Sequence, residues 1–96
     1  MNNLLYDAGY KIIILSGRSN RVEQKTIKWL KANNVKYHMI LMREKNDFKP
    51  DEILKNEWLD TLEKDKILCV FDDRDKVVNM WRNNGLTCFQ VAEGDF

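Results

Sequence analysis

The 96-residue sequence lacks the features of a disulfide-rich, zinc-binding or membrane-spanning protein. Its two cysteines and single histidine show no spacing typical of a zinc site. Its apolar runs are too short to cross a bilayer, and its first residues show no secretory signal pattern. The formal net charge of +1 gives no case for general wrapping of nucleic acid, so any anion-binding surface must be local. We expect a reducing, cytoplasmic compartment.

What is present is the composition of one small folded domain. Hydrophobic residues make up 44% of the chain and charged residues 32%, a balance that disordered proteins do not show. At this length a second core is not expected, so residues 1–96 are interpreted as one domain. Cys69 and Cys88 both fall in apolar, strand-like runs, which predicts reduced core cysteines rather than a disulfide or a metal pair.

Strand and helix patterns alternate along the chain. Short apolar, β-branched runs predict strands at 11–16, 37–42, 67–71 and 87–91. Helical periodicity predicts helices at 2–8, 20–34, 50–62 and 75–84. This order is typical of an α/β fold with a parallel sheet and helices on its faces. In such sheets the ligand site lies beyond the carboxyl ends of the strands.

Two local predictions concern the helices. Asn20 followed by Glu23 resembles a capping box, which places the start of the second helix at Asn20. The three tryptophans fit apolar helical faces, so we expect them in the core rather than on a base-stacking platform. They are Trp29, Trp58 and Trp81.

A first candidate cluster is Ser16-Gly17-Arg18, which follows the first predicted strand and precedes a helix. A hydroxyl, a flexible glycine, an arginine and free backbone N–H groups are what a phosphate oxygen requires. The cluster is also compatible with a plain strand-to-helix turn, in which Ser16 and Gly17 serve only the backbone geometry.

A second candidate cluster is Asp72-Asp73-Arg74, directly after the third predicted strand. Two adjacent carboxylates repel each other, and a bound divalent cation would relieve that repulsion. Mg²⁺ suits such oxygen ligands because it takes one or two carboxylates and fills its remaining positions with water and phosphate. In the alternative interpretation, one Asp caps the following helix and the other is solvated.

A third candidate cluster is basic and lies around the third predicted helix. Lys55 is about one and a half turns into that helix, so its side chain could reach back over the site. Asp51 lies four residues earlier on the same helix face. Arg43 and Lys49 precede the helix in a charged segment. Taken singly, each of these residues is equally compatible with an ordinary surface charge.

Together the clusters stand in the order of the later motifs of the haloacid-dehalogenase (HAD) superfamily. Those motifs are a Ser or Thr after a strand, a Lys on a helix, and an acidic pair after another strand. The matching segments here are ILSGR, KPDEILK and VFDDR. The further order S-G-R, R-E-x-x-D, D-D-R-x-x-V-V-x-M-W-R and A-x-G-D-F resembles the 3′-phosphatase domain of bacteriophage-type polynucleotide kinase–phosphatases, over essentially the whole chain.

The resemblance implies a three-layer, HAD-like (Rossmannoid) fold and Mg²⁺-dependent removal of 3′-phosphates from nucleic-acid ends. It implies that Ser16 and Lys55 bind and orient the transferring phosphoryl group, and that Asp72 and Asp73 hold Mg²⁺, Asp73 also counting as catalytic. The remaining site residues would contact phosphate or brace the carboxylates. They are Gly17, Arg18, Arg43, Lys49, Asp51 and Arg74. The compartment would be the host cytoplasm if the protein is viral.

The sequence departs from the family at the D-x-D-G-T motif, whose first Asp attacks phosphorus. No such motif occurs in the 96 residues, and Asp73-Arg74-Asp75 lacks the Gly-Thr turn. In the family this motif ends the first, central strand, which would lie between strands 11–16 and 67–71. We therefore expect a portion of a phosphatase that is not competent alone, and whose sheet is completed by an upstream segment or by another chain.

Three functions remain open from the sequence. The first is the enzymatic one, with the nucleophile supplied from outside these residues. The second is a binding module for Mg²⁺ and phosphorylated nucleic-acid ends or nucleotides, without hydrolysis. The third is a self-associating structural fragment whose exposed sheet edges form a homo-oligomer.

Overall fold

The computed structural model describes residues 2–95, and its contacts group them into two compact units that meet in sequence between Phe48 and Lys49. Each unit contains one two-stranded parallel sheet. The α/β class and the parallel strands predicted from the sequence are therefore confirmed. No helix within residues 2–95 has the length and apolar character needed to cross a membrane.

The first unit alternates helices and strands along the chain. Its elements are α1 (Asn2–Asp7), β1 (Ile13–Ser19), a 3₁₀ turn (Asn20–Val22), α2 (Glu23–Ala32) and β2 (Met39–Arg43). Gly9 after α1 and Asn34 after α2 both have positive φ (96° and 54°), which matches the expected ends of these helices. Leu30 and Thr26 are the buried residues of α2.

Strands β1 and β2 pair in parallel from Ile13↔Met39 to Ser16↔Met42, then lose register before Ser19↔Arg43. The irregularity therefore falls on Gly17 and Arg18. A residue without a side chain in this segment permits such a local change in the backbone. Strand β1 ends at Ser19 rather than at the predicted Ser16, so the whole Ser16-Gly17-Arg18 cluster lies within β1.

The second unit has the elements α3 (Asp51–Asp60), a 3₁₀ turn (Lys64–Lys66), β3 (Val70–Asp72), α4 (Asp75–Asn83) and β4 (Cys88–Gln90). Strands β3 and β4 pair in parallel, from Val70↔Cys88 to Asp72↔Gln90. Helix α4 packs against α3 and against both strands. The buried apolar residues of this unit are Leu54, Leu59, Val77, Val78, Trp81 and Cys88.

Three sequence-based predictions require correction. Helix α2 begins at Glu23 without a side-chain cap, and Ser19 instead caps the preceding 3₁₀ turn by accepting the Arg21 N–H at its Oγ, so the capping box at Asn20 is wrong. Trp29 is 60% exposed, so its assignment to the core is wrong, whereas Trp81 is buried. Strand β3 begins at Val70 rather than at residue 67, because the backbone is already extended at Ile67 but pairing with β4 starts only at Val70↔Cys88.

Both cysteines are free, as predicted. Cys88 is buried on β4, and Cys69 is half-buried just before β3. Burial is the largest cause that raises the pKa of the Cys88 thiol, and the neighbouring Asp72 carboxylate adds to the effect. Cys88 is therefore a protonated core residue.

Candidate functional site

The Ser16-Gly17-Arg18 segment of the first unit is held in a turn-like geometry at the carboxyl end of β1. The Ser16 Oγ accepts a hydrogen bond from the Arg18 N–H at 3.2 Å. The Gly17 carbonyl accepts one from the Arg43 Nε at 2.8 Å. Arg18 is exposed to solvent, whereas Ser16 and Gly17 are half-buried. A hydroxyl and a guanidinium therefore stand at the strand end where a phosphate site is expected.

Arg43, the last residue of β2, joins the two strand ends of the first unit. Besides its bond to Gly17, its Nη1 donates to the Asp47 carbonyl at 3.2 Å and lies 3.9 Å from the Asp47 carboxylate. These two side chains are only 14% and 15% exposed. In the R-E-x-x-D motif, the Arg43 guanidinium thus donates to the Gly17 and Asp47 carbonyls and lies beside the Asp47 carboxylate.

In the second unit, Lys55 and Asp72 form a largely buried ion pair. The Lys55 Nζ lies 3.1 Å from the Asp72 Oδ2, and each side chain is 11% exposed. The same Oδ2 accepts the indole N–H of Trp81 at 3.2 Å, and Oδ1 accepts the Asp73 N–H at 2.9 Å. The carboxylate at the end of β3 therefore has donors on both of its oxygens, which fixes its orientation.

These donors decide the protonation state of Asp72. Burial by itself raises the pKa of this carboxyl, because it disfavours the charged form. The Lys55 ammonium, the Trp81 indole N–H and the Asp73 amide lower the pKa by more, so that the net pKa lies below its ordinary value. Asp72 is therefore an anion at neutral pH.

The remaining predicted residues of the second unit lie just after β3 and at or before the start of α3. Asp73 is exposed, directly beside the anchored Asp72. Arg74 forms an ion pair with Asp51 at 3.2 Å, which ties the segment after β3 to the first turn of α3. Lys49 is paired with Glu57 at 3.2 Å, and both of these side chains are largely exposed.

The structure adds three residues to the site that the sequence interpretation did not assign to it. Trp81 was expected as core, but its indole also donates to Asp72. Gln90, at the end of β4, donates from Nε2 to the Asp73 carbonyl at 2.9 Å and to the Asp75 Oδ1 at 2.5 Å. Gly94 accepts the Asp75 N–H at 2.6 Å. Gly94 of the A-x-G-D-F motif thus lies beside residues 73–75. The sequence alone does not reveal this proximity, because it depends on the pairing of β3 with β4.

Gly94 packs directly against the backbone of Asp73 and Arg74. A Cβ at this position would overlap the Asp73 carbonyl and would lie 2.8 Å from the Arg74 Cα. Both of these atoms belong to the backbone, which cannot turn aside as a flexible side chain could. A glycine is therefore required here by the close approach of two backbone segments.

Asp72 and Asp73 are the residues that fit a divalent cation. Within residues 2–95, no three His, Cys, Asp or Glu side chains lie close enough to enclose a metal ion by themselves. Mg²⁺ does not require such a cage, because it takes one or two carboxylates and keeps several waters. An ionised carboxylate with an exposed one beside it is a donor set of that kind.

Known proteins that resemble this chain identify its family. The family model described as the polynucleotide kinase PNKP phosphatase domain matches residues 1–96. A curated protein of Autographa californica nuclear polyhedrosis virus, named "Putative bifunctional polynucleotide kinase/RNA ligase", is 36% identical over 85 residues, which cover 84% of this chain and 12% of that protein.

Two solved structures, the "Structure of the Pnkp1/Rnl/Hen1 RNA repair complex" and the "Structure of Pnkp1/Rnl/Hen1 complex", each contain a chain that is 39% identical and superposes with a TM-score of 0.91. The match covers 99% of this chain, and 32% and 34% of the solved chains. This chain thus spans about a third of those solved chains and about an eighth of the curated relative. It belongs to the polynucleotide kinase PNKP phosphatase domain family.

Proposed function

We propose that this chain is a portion of a Mg²⁺-dependent phosphohydrolase that removes 3′-phosphates from nucleic-acid ends during end repair. The observation that carries the proposal is the Lys55–Asp72 pair, with Nζ and Oδ2 separated by 3.1 Å, beside the exposed Asp73. This arrangement supplies a cation for a phosphoryl oxygen and two carboxylates for a metal ion. In an ordinary surface ion pair the carboxylate is held by its partner alone, whereas here the Trp81 indole and the Asp73 N–H also donate to Asp72.

Each residue of the second unit then has a chemical role. The Lys55 ammonium stabilises negative charge on the phosphoryl group and holds Asp72 ionised. Asp72 and Asp73 hold Mg²⁺, and this ion, when bound, neutralises and orients phosphate oxygens. Arg74 and Asp51 brace the segment that carries the carboxylates, since their 3.2 Å ion pair links it to α3. Lys49 contributes positive charge near the start of α3.

In the first unit, the proposed roles concern phosphate binding. Ser16 and the backbone of Gly17 hydrogen-bond a phosphoryl oxygen, and the exposed Arg18 contacts the substrate phosphate. Arg43 holds the end of β1 in place through its 2.8 Å bond to the Gly17 carbonyl. A preorganised donor set of this kind is the usual means of stabilising the charge that develops in phosphoryl transfer.

We further propose that the complete protein has a three-layer HAD-like arrangement and that its nucleophile comes from outside these residues. Because the 96 residues contain no D-x-D-G-T motif, the attacking carboxylate of the family route must come from another segment or chain. The same absence favours a second candidate function, in which the chain binds Mg²⁺ and a phosphorylated 3′-end without hydrolysing it.

Phosphate release separates these two functions. A 3′-phosphorylated oligonucleotide is incubated with Mg²⁺ and either this chain or its Asp72→Asn/Asp73→Asn variant, and a 5′-phosphorylated oligonucleotide serves as the substrate control. Because the proposed nucleophile lies outside these 96 residues, both functions predict that this chain alone binds the 3′-phosphorylated end without releasing phosphate. The assay is therefore repeated with an added segment that carries a D-x-D-G-T motif. Release that is specific for the 3′-phosphate, appears only with the added segment and is lost in the variant would support the phosphohydrolase. Binding that persists without release in the presence of that segment would support the binding function, and neither binding nor release would refute both.

A further inference from the structure

Helix α2 of the first unit presents an exposed face that combines a tryptophan with basic side chains. Trp29 is 60% exposed, although its neighbours Thr26 and Leu30 on the same helix are buried. Lys25 and Lys28 are also exposed, and they lie four residues and one residue before Trp29. Lys25 lies three residues before Lys28 and four before Trp29, so its side chain neighbours both of the others on the helix surface. We refer to Lys25, Lys28 and Trp29 as the α2 face.

The charge on this part of the chain is strongly one-sided. Residues 18–32 carry five basic side chains and one carboxylate, for a local net charge of +4 in a protein whose total is +1. The single carboxylate, Glu23, is half-buried with the inward-facing residues. Across residues 2–95, the ion pairs observed include none formed by Lys25, Lys28 or Lys31. The helix therefore projects positive charge that its own unit does not neutralise.

The α2 face places an exposed indole beside ammonium groups that form none of the ion pairs observed within residues 2–95. A single exposed apolar side chain is common on protein surfaces, so it is the combination with a one-sided charge that indicates a ligand. Arg21 continues the line of positive charge, so that the stripe from Arg21 to Lys28 is about 10 Å long at a rise of about 1.5 Å per residue. Such a stripe with an aromatic ring at its side has the chemistry of a single-stranded nucleic-acid site, where phosphates meet cations and a base stacks on the ring.

We infer that the α2 face binds a single nucleic-acid strand, with Lys25 and Lys28 contacting phosphates and Trp29 stacking on an unpaired base. A single strand fits better than a duplex, because a base inside a duplex offers no free face to an indole. The inference rests on the proposed function for the identity of this strand, which would be the one that ends in the 3′-phosphate. Binding by the α2 face would then be independent of the terminal phosphate.

The experiment measures fluorescence anisotropy of a labelled single-stranded oligonucleotide with a 3′-hydroxyl end, as a function of salt. Trp29→Ala is expected to weaken binding roughly 5- to 100-fold, and Trp29→Phe to restore part of the affinity. The Lys25→Gln/Lys28→Gln variant is expected to reduce the slope of log K against log salt by about 1.4, since each phosphate contact to a single strand contributes about 0.7.

The matched control is Lys64→Gln/Lys76→Gln, which removes the same charge from exposed positions elsewhere. The inference is overturned if this control weakens binding as much as Lys25→Gln/Lys28→Gln, or if Trp29→Ala has no effect on affinity. It is also overturned if Trp29→Ala abolishes self-association in sedimentation while leaving oligonucleotide binding intact, because the face would then bind a second copy of the chain.

The same oligonucleotide with a 3′-phosphate distinguishes this inference from the proposed function. If the chain binds the 3′-phosphate oligonucleotide more tightly than the 3′-hydroxyl one, and Asp72→Asn/Asp73→Asn removes this difference, the result concerns the proposed function alone. Loss of affinity for both oligonucleotides in Trp29→Ala tests the α2 face alone.

Discussion

The ammonium of Lys55 lies 3.1 Å from the carboxylate of Asp72, and each of the two side chains is only 11% exposed. The Lys is on α3 and the Asp is the last residue of β3, so the pair links a helix to the carboxyl end of a strand. A charge pair in this environment is costly to break on one side, because the remaining partner is left without compensation.

Lys55→Met is therefore expected to destabilise the protein by about 2–4 kcal/mol, because it leaves the Asp72 carboxylate without its ammonium. The free energy of unfolding is measured by urea titration. Lys64→Met, at an exposed position of the same unit, is the control and should change stability by less than about 0.5 kcal/mol. If the Lys55→Met/Asp72→Asn double variant is no more stable than the single variant, the proposed cause is wrong.

The pKa of Asp72 predicts an acid-sensitive contribution to stability. Its native pKa is lowered, whereas its unfolded value is about 3.9, so its contribution is fully present above about pH 4. That contribution is lost as the pH falls through the native pKa. In a carbon-detected NMR titration, the Asp72 carboxylate should titrate below the ordinary value of about 3.9 for an unfolded Asp. Titration of Asp72 above that value would contradict the described contacts.

Gly94→Ala is expected to displace the backbone that carries Asp73 and Arg74, because its Cβ would overlap the Asp73 carbonyl. The amide resonances of Asp73, Arg74 and Asp75 should shift, and Mg²⁺ affinity should fall. Gly85→Ala is the control, since Gly85 has a φ of 82° but a Cβ added there would meet no atom within 4 Å. It should cost about 1 kcal/mol of stability and leave the Asp73 amide in place.

The two cysteines should differ in their reaction with iodoacetamide. Cys88 is 6% exposed and has a raised thiol pKa, so little thiolate is present and little of it is accessible. Cys69 is half-buried and should react first. Mass spectrometry of digested protein follows both sites, with and without urea. Rapid labelling of Cys88 in the native protein would show that β4 opens readily.

The sequence predicts much of this fold because its local signals agree with one another. Gly9, Asn34 and Gly85 end helices as expected, and all three have positive φ. Local patterns failed where a longer-range contact decides the outcome. The exposure of Trp29 is one example, since helical periodicity alone cannot say whether a residue at the margin of an apolar stripe is covered.

Sequence order identified residues that lie at the carboxyl ends of β1 and β2 in the first unit, and at the carboxyl end of β3 in the second unit. It could not reveal that Trp81 and Gln90 contact the acidic segment, because these contacts depend on how α4 and β4 pack beside β3. Nor could it show that Lys55 is buried with Asp72, seventeen residues away along the chain.

The most direct test of the account is the affinity of the chain for a 3′-phosphorylated oligonucleotide relative to the same oligonucleotide with a 3′-hydroxyl, measured with and without Mg²⁺. The account predicts tighter binding of the phosphorylated end in the presence of Mg²⁺, and loss of this preference in the Asp72→Asn/Asp73→Asn variant. Equal affinity for both ends, or a preference that persists in the variant and without Mg²⁺, would contradict the assignment of these carboxylates to a metal-assisted phosphate site.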